Sequence, residues 1–361
     1  MMISKYLILL KNLWNDSLQK LRHYLLSLIY LAFKTQKKTN PYPKHVKKIL
    51  LIRRNRLGDA INLLPIMHAI KKNYPDIEIN VLANKYNAQI FGYCSVISHI
   101  HILNEKSWLG QNFLFLNPVI RKLKKENFDL VIALGGYTSR LAKITYFLKS
   151  KYSVGMGSNK FFFDLVYDKA IIVDKAKFKS QIEEMVALIK AARLVIPINL
   201  PYANLELLNK PNKKWLAICP DVNRKVSQYP SSLYGEIIEK ILKDKKFKKI
   251  GFFTIGPESP YMDLTRYGAQ YIRTNSVKEF INTLSKYQYV ITAEGGSAHI
   301  AGSLGLSVCV ISGTSSQSYW KPHAKNIRTF VNIISVEKIK PELIIKALYK
   351  FTSAPTYNSE T

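Results

Sequence analysis

The chain has 361 residues, 47% hydrophobic and 22% charged, with 54 Lys+Arg against 24 Asp+Glu and a formal net charge of +30. This composition excludes a disordered chain and leaves room for two domains with substantial cores. The charge favours anionic partners such as an acidic membrane surface or phosphorylated substrates; without aromatic–basic repeats or a nucleic-acid module, no nucleic-acid partner is expected.

Residues 1–44 read as a separate N-terminal segment. Leu7, Leu10, Trp14, Leu18, Leu21, Leu25, Leu28 and Leu31 recur at steps of three or four, which places them on one helical stripe. Lys11, Asn15, Gln19, Lys20 and Arg22 fall largely off it. The uncharged run from Tyr24 to Phe33 is far shorter than the ~20 residues needed to span a bilayer. No small-residue cleavage site follows it, which argues against a secretory signal. Residues 1–40 therefore read as an amphipathic helix on an anionic membrane surface, as a helix packed on the body of the protein, or as a coiled-coil seam.

From about residue 45 the pattern alternates. Strands are expected at 47–54, 77–83, 97–103, 128–136 and 170–173, with helices at about 59–73, 117–126 and 180–197. Pro197, Pro201 and Pro211 then mark a junction. A second series follows, with strands at 214–220, 249–256, 289–295 and 307–313 and helices at about 232–243, 276–286, 297–304 and 341–351. Strands separated by helices imply parallel sheets covered on both faces. The expected fold class is α/β, with two doubly wound, Rossmann-like domains, 45–200 and 201–361, facing across a cleft at the carboxyl ends of their strands. Cys94, Cys219 and Cys309 lack metal-ligand spacing and read as reduced thiols, which fits the cytoplasm.

Two turns carry candidate chemistry. In "RRNRLGDAINLLP" (53–65), Gly58 permits a tight turn and Asp59 stands at or near the start of a helix. Asp59 reads either as a cap with Arg53, Arg54 and Arg56 solvated, or as an acid facing the cleft that takes a proton from a hydroxyl, with the arginines holding phosphates. In "TAEGGSAHIAGSLG" (292–305), glycines precede a helix that starts near Ser297. Backbone N–H groups at such a helix start attract phosphate, and Gly295 and Gly296 let it approach. His299 adds a hydrogen bond, and Glu294 suits a sugar hydroxyl or the orientation of His299. The bland alternative is a capped turn with a packed histidine.

The run "RLGDAINLLPIMHAIKKNYPDIEINVL" resembles the N-terminal signature of the lipopolysaccharide heptosyltransferase family, glycosyltransferase family 9 with the GT-B fold. Gly58, Asp59, Leu64, Pro65, Tyr74 and Pro75 fall in register. "VITAEGGSAHIAGSLGLSVCVISGTSSQSYWKP" resembles the C-terminal signature through Glu294, Gly296, His299, Ala301, Gly313, Thr314 and Pro322. The resemblance covers about 47–325. It implies an inverting, metal-independent transfer of a sugar, with heptose from ADP-heptose as first choice, to a lipid-linked lipopolysaccharide core, without a cofactor. The alternatives are a different sugar or a non-catalytic relative. The enzyme would sit in the cytoplasm, peripheral on the inner face of the bacterial inner membrane. Asp59 would be the general base. Arg53, Arg56 and Gly58 would meet the acceptor. Arg224, Lys225, Ser227, Glu258, Glu294, Gly295, Gly296, Ser297 and His299 would meet the donor. The chain departs from the family where Glu294 replaces an aspartate and Ser227 replaces a phosphate-binding lysine, for which Arg224 and Lys225 stand nearby.

Overall fold

The computed structural model describes residues 40–103, 117–136, 138–157, 166–172, 178–207, 210–256, 259–314 and 317–353. The helix expected within 1–44, up to residue 39, and Glu258 lie outside the described residues.

The first series runs β1 (Lys48–Ile52), α1 (Leu57–Asn73), β2 (Glu78–Ala83), α2 (Asn87–Phe91), β3 (His99–Ile102), α3 (Pro118–Lys125), β4 (Leu130–Ala133), α4 (Ser139–Leu148), β5 (Tyr152–Gly157), β6 (Lys169–Ile172) and α5 (Gln181–Ala191). The second runs β7 (Asn212–Cys219), α6 (Ser231–Lys243), β8 (Lys249–Ile255), β9 (Gln270–Thr274), α7 (Val277–Leu284), β10 (Tyr287–Ala293), α8 (Gly296–Ser303), β11 (Ser307–Ser312), α9 (Gln317–Trp320), β12 (Ile327–Val331) and α10 (Pro341–Ser353). The strands form two six-stranded sheets, ordered β3-β2-β1-β4-β5-β6 and β12-β11-β10-β7-β8-β9. Central strands such as β4 and β11 are buried along their whole length, as sheets covered on both faces require.

The residues group into two compact units, each discontinuous in sequence. One takes the described residues up to Ile52, those from 117 to 172, and Leu188–Arg193. In it β1, β4, β5 and β6 pair in parallel in that order. The other takes Arg53 to Leu103, 178 to Ala187, and everything from Leu194 onward. It holds the β2–β3 pair and the whole second sheet, whose core joins Leu216, Ile218, Ile237, Phe252, Ile291 and Ile311 among others. Cys94, Cys219 and Cys309 are free and buried, and burial pushes all three thiols upward.

Several elements differ from expectation for local reasons. β5 carries two glycines and is not among the strands expected from sequence. A Cβ at Gly155 would lie 2.2 Å from the Tyr167 ring, so that glycine makes room for an aromatic side chain. β9 and β12 are sheet edges with mixed burial, which hides the strand pattern. The helix expected over 180–197 ends at Ala191, and Arg193 turns the chain with φ 56°.

Candidate functional site

The second unit brings the two turns together. The first turn of α1 sits against the first turn of α8. A Cβ at Gly58 would stand 2.6 Å from His299 Cδ2, and a Cβ at Gly296 would stand 3.3 Å from Leu57 Cβ. Gly58 lies inside the helix rather than in a tight turn, and its missing side chain is the space that the imidazole fills. Around this contact opens a cleft of about 600 Å³. Arg56, Gly58, Asp59, Arg224, Glu294, Gly295, Gly296 and His299 all line it.

Asp59 is not the helix cap. It is the third helical residue, and its Oδ2 accepts the backbone N–H of Arg56 at 3.1 Å. Its Oδ1 accepts Gln181 Nε2 at 2.7 Å. The Gln181 amide is in turn oriented by Asn62, whose Nδ2 donates to Gln181 Oε1 at 3.2 Å. Arg53 stands on the same carboxylate: its Nη2 lies 3.3 Å from Oδ1, near enough for an ion pair but off the line of a hydrogen bond. Arg53 is 1% exposed. This corrects its assignment to the acceptor and equally the reading that it is solvated, because its guanidinium is enclosed and turned on Asp59. Burial lowers the Arg53 pKa, while the charges of Asp59 and Glu184 oppose that shift. Glu184 accepts the Tyr319 hydroxyl, so α5 and α9 meet behind the acid.

Glu294 is handled differently. Its Oε1 accepts Ser227 Oγ at 2.8 Å, and its Oε2 accepts Ser312 Oγ at 2.6 Å and Thr314 Oγ1 at 2.9 Å. Arg224 Nη1 lies 3.7 Å from Oε1. Burial alone would raise the Glu294 pKa, but these three hydroxyls and Arg224 outweigh it and hold the carboxyl below its ordinary value. Ser227 is fully buried and does not line the cleft; it also accepts the Gly313 N–H at 3.0 Å. This corrects its assignment as a donor contact, since its hydroxyl is spent inside the protein on Glu294. The backbone approaches so closely there that a Cβ at Gly313 would lie 1.8 Å from the Val226 carbonyl. Lys225 is exposed and also outside the cleft lining, which leaves Arg224 as the cation on this wall.

α8 begins after Gly295, whose φ of 132° and ψ of −152° suit glycine alone. His299 N–H already bonds the Gly295 carbonyl, so the N–H groups of Gly296, Ser297 and Ala298 are those left over at the helix start. The Ser297 hydroxyl is turned back to Thr292 Oγ1 at 2.7 Å and does not line the cleft. His299 Nε2 faces the Trp320 carbonyl at 3.0 Å. A carbonyl only accepts, so Nε2 carries the proton. Burial pushes the imidazole down to about 4, against the opposing charge of Asp59, so the ring is neutral. Its Nδ1 is buried without a hydrogen-bond partner. His299 therefore presents a lone pair and no proton, and the expected hydrogen bond from His299 to a phosphate has no donor in this arrangement.

Sequence reasoning missed Gln181, Asn62 and Tyr319, because nothing local marks a glutamine that meets an acid 122 residues away. Asp221 had a signal: an acid just past the end of β7, it lines the cleft and accepts Ser259 Oγ at 2.6 Å. Among the described residues no group of three or more His, Cys, Asp or Glu side chains is arranged to hold a metal ion, and no helix is long and apolar enough to cross a membrane.

No family model matches the chain. A Haemophilus influenzae protein named "Putative glycosyltransferase" is 26% identical over 88 residues, so the match spans 24% of this chain and 24% of that relative's length. A crystal structure of a glycosyltransferase family 9 protein from Veillonella parvula superposes with a TM-score of 0.74 at 15% identity, over 87% of this chain and 99% of that one. E. coli heptosyltransferase WaaC with ADP gives 0.71 at 16% identity, over 85% and 100%. E. coli ADP-heptose lps heptosyltransferase II gives 0.70 at 12%, over 84% and 98%. With its two six-stranded sheets and interleaved helices, the chain has the GT-B fold of family 9 glycosyltransferases and heptosyltransferases.

Proposed function

We propose that this chain is an inverting glycosyltransferase that moves a sugar from a nucleotide-sugar, with ADP-heptose as the first candidate, to a hydroxyl of an anionic, lipid-linked glycan. One observation carries the reading: within a single compact unit, a held carboxylate and the open start of a helix face the same cleft. The similar E. coli proteins are an ADP-heptose lps heptosyltransferase II and a heptosyltransferase WaaC with ADP, which supports the donor class.

In this reading Asp59 is the general base. Gln181 and Arg53 occupy Oδ1, while Oδ2 holds one backbone N–H and keeps a lone pair for the acceptor proton. The acceptor oxygen bonds to the anomeric carbon as the bond from that carbon to the diphosphate oxygen breaks, and the proton passes to Asp59. Negative charge grows on the departing diphosphate. The N–H groups of Gly296, Ser297 and Ala298 and the side chain of Arg224 are the groups suited to receive it. Glu294 does not repel that charge strongly, because three hydroxyls and Arg224 already engage it. We further propose that the protein works at the cytoplasmic face of an anionic membrane through residues 1–40.

The test is to incubate the purified chain with a panel of nucleotide sugars and a lipopolysaccharide-core acceptor and to follow acceptor mass. Transfer by the wild type that disappears in Asp59→Asn is expected. No mass gain with any donor, or transfer that survives in Asp59→Asn, would falsify the reading.

A further inference from the structure

Behind Asp59 stands a second buried acid that the proposed reaction does not use. Glu184 is 4% exposed and lies on α5, three residues after Gln181. Residues three apart on a helix are surface neighbours, so α5 presents both side chains on one face. Gln181 reaches Asp59, whereas Glu184 accepts the hydroxyl of Tyr319 on α9 through Oε2. Among the described residues Tyr319 is the one hydrogen-bond donor to that carboxylate. Burial, the bond to Glu184 and the charge of Glu184 all push the Tyr319 pKa upward, so the hydroxyl keeps its proton and stays a donor.

Both acids act on one cation. The charges of Asp59 and Glu184 each favour the charged form of the enclosed Arg53. In the structure Arg53 serves Asp59, with Nη2 3.3 Å from Oδ1 and Nε donating to the Asp59 carbonyl at 3.3 Å. Its Nη2 nevertheless makes no hydrogen bond. A buried N–H of this kind gains by turning to any nearby carboxylate that is free to meet it. A bond from a hydroxyl to a carboxylate is charge-assisted, so Tyr319 fixes the Glu184 side chain on α9.

α9 is itself held from the other wall of the cleft. The Trp320 carbonyl faces His299 Nε2 at 3.0 Å, and the Tyr319 and Trp320 rings meet edge to face with centroids 4.9 Å apart. The hydroxyl that occupies Glu184 is thus placed by the same short element that orients His299.

We propose that Tyr319 is a positioning residue for Asp59: by holding Glu184, it leaves Arg53 to the acid at the cleft. The catalytic consequence rests on the reading of Asp59 as the base; the choice of partner by Arg53 does not. Without the hydroxyl, Glu184 turns to Arg53 and draws Nη2 off Asp59 Oδ1, which then keeps Gln181 alone.

The experiment compares the wild type, Tyr319→Phe, Glu184→Gln and the double variant as full chains in the acceptor-mass assay, with far-UV circular dichroism as the check on folding. Phe keeps the ring against Trp320, and kcat should fall roughly thirtyfold with KM for both substrates within about threefold. Glu184→Gln removes the charge that competes for Arg53, so alone it should be slowed less than Tyr319→Phe. Added to Tyr319→Phe, it should restore about tenfold of the lost rate. A bond with only a structural role gives no such rescue, because the second substitution adds its own damage. Crystal structures of the wild type and Tyr319→Phe give a readout independent of turnover: Arg53 Nη2 should pass from Asp59 to Glu184. The proposal is overturned if Tyr319→Phe keeps the wild-type rate, if Glu184→Gln is as slow as Tyr319→Phe, if the double variant is no faster than Tyr319→Phe, or if Arg53 stays on Asp59 in Tyr319→Phe. A wild type that transfers no sugar, with Arg53 switching as described in the variant, would sink the transferase reading and leave the choice of partner standing.

Discussion

Asp59 and Glu294 are both acids placed where a strand gives way to a helix, both are nearly buried, and both line the same cleft. Their surroundings differ. Glu294 receives three side-chain hydroxyls, spread over both oxygens, and has Arg224 nearby. Asp59 has its donors concentrated on Oδ1, with one backbone N–H on Oδ2. A saturated carboxylate ties loops together, whereas a carboxylate held from one side can still take a proton. The comparison teaches that an acid in a signature turn is not by itself a reactive group; the count of its donors decides its use.

The sharpest test of that contrast is Asp59→Asn. The amide keeps the size of the side chain but cannot accept the acceptor's proton, so kcat should fall by about a thousandfold or more. Donor binding by calorimetry should stay within roughly threefold, because the helix start of α8 is untouched. Loss of donor affinity equal to the loss of rate would mean that Asp59 organises the cleft instead of reacting in it.

The neighbour of both acids sets a pH limit. The imidazole of His299 titrates at about 4 in the folded chain against an ordinary 6.5, chiefly because it is buried. The unfolded chain therefore binds the proton first. Stability is complete above the ordinary histidine value and falls as pH drops toward 4, by about 3 kcal/mol in total. Glu294 acts with the same sign: its lowered pKa contributes stability at neutral pH that is lost as acid protonates it. His299→Gln should flatten the dependence of Tm between pH 6.5 and 4. An identical slope in the variant would assign the acid sensitivity elsewhere.

Much of this was legible before the fold. The strands of both sheet centres announce themselves as unbroken apolar runs, and Gly58, Asp59, Glu294, Gly295 and His299, which line the cleft, stand in two short motifs. What escaped did so for physical reasons. β5 is built around glycines that make space for Tyr167, and β9 and β12 are edges with no clean alternation. Arg53 looks like a surface cation in sequence, yet it is enclosed because its partner lies six residues on and folds back over it. Ser227 looks like a lost lysine, whereas the structure gives its hydroxyl to Glu294, an acid long enough to reach it. Such pairings depend on the tertiary path and leave no periodic trace.

Glu294→Gln tests the other side of the comparison. The amide can accept on one atom only, so some of the hydroxyls of Ser227, Ser312 and Thr314 lose their acceptor. Unfolding free energy should drop by about 2 kcal/mol, read by denaturant titration. kcat should stay within roughly fivefold, since the side chain is not asked to move a proton. A stable variant with a rate lowered as far as in Asp59→Asn would make Glu294 a reacting group and erase the distinction.

The smallest effect expected is at Gln181, and it bears on how Asp59 is held. Its amide has one orientation available, because Asn62 holds Oε1 and thereby turns Nε2 onto Asp59. Gln181→Leu removes that donor with little change in volume, leaving Arg53 poorly aligned on Oδ1. The carboxylate is then free to rotate away from the cleft, and kcat should fall by about tenfold, or about 1.4 kcal/mol in barrier, with KM for both substrates nearly unchanged. Asn62→Leu should reproduce part of the loss, because Gln181 then has no partner to fix its amide. If Gln181→Leu raises KM and leaves kcat alone, the glutamine acts in binding, and the one-sided hold on Asp59 is not what keeps the acid available.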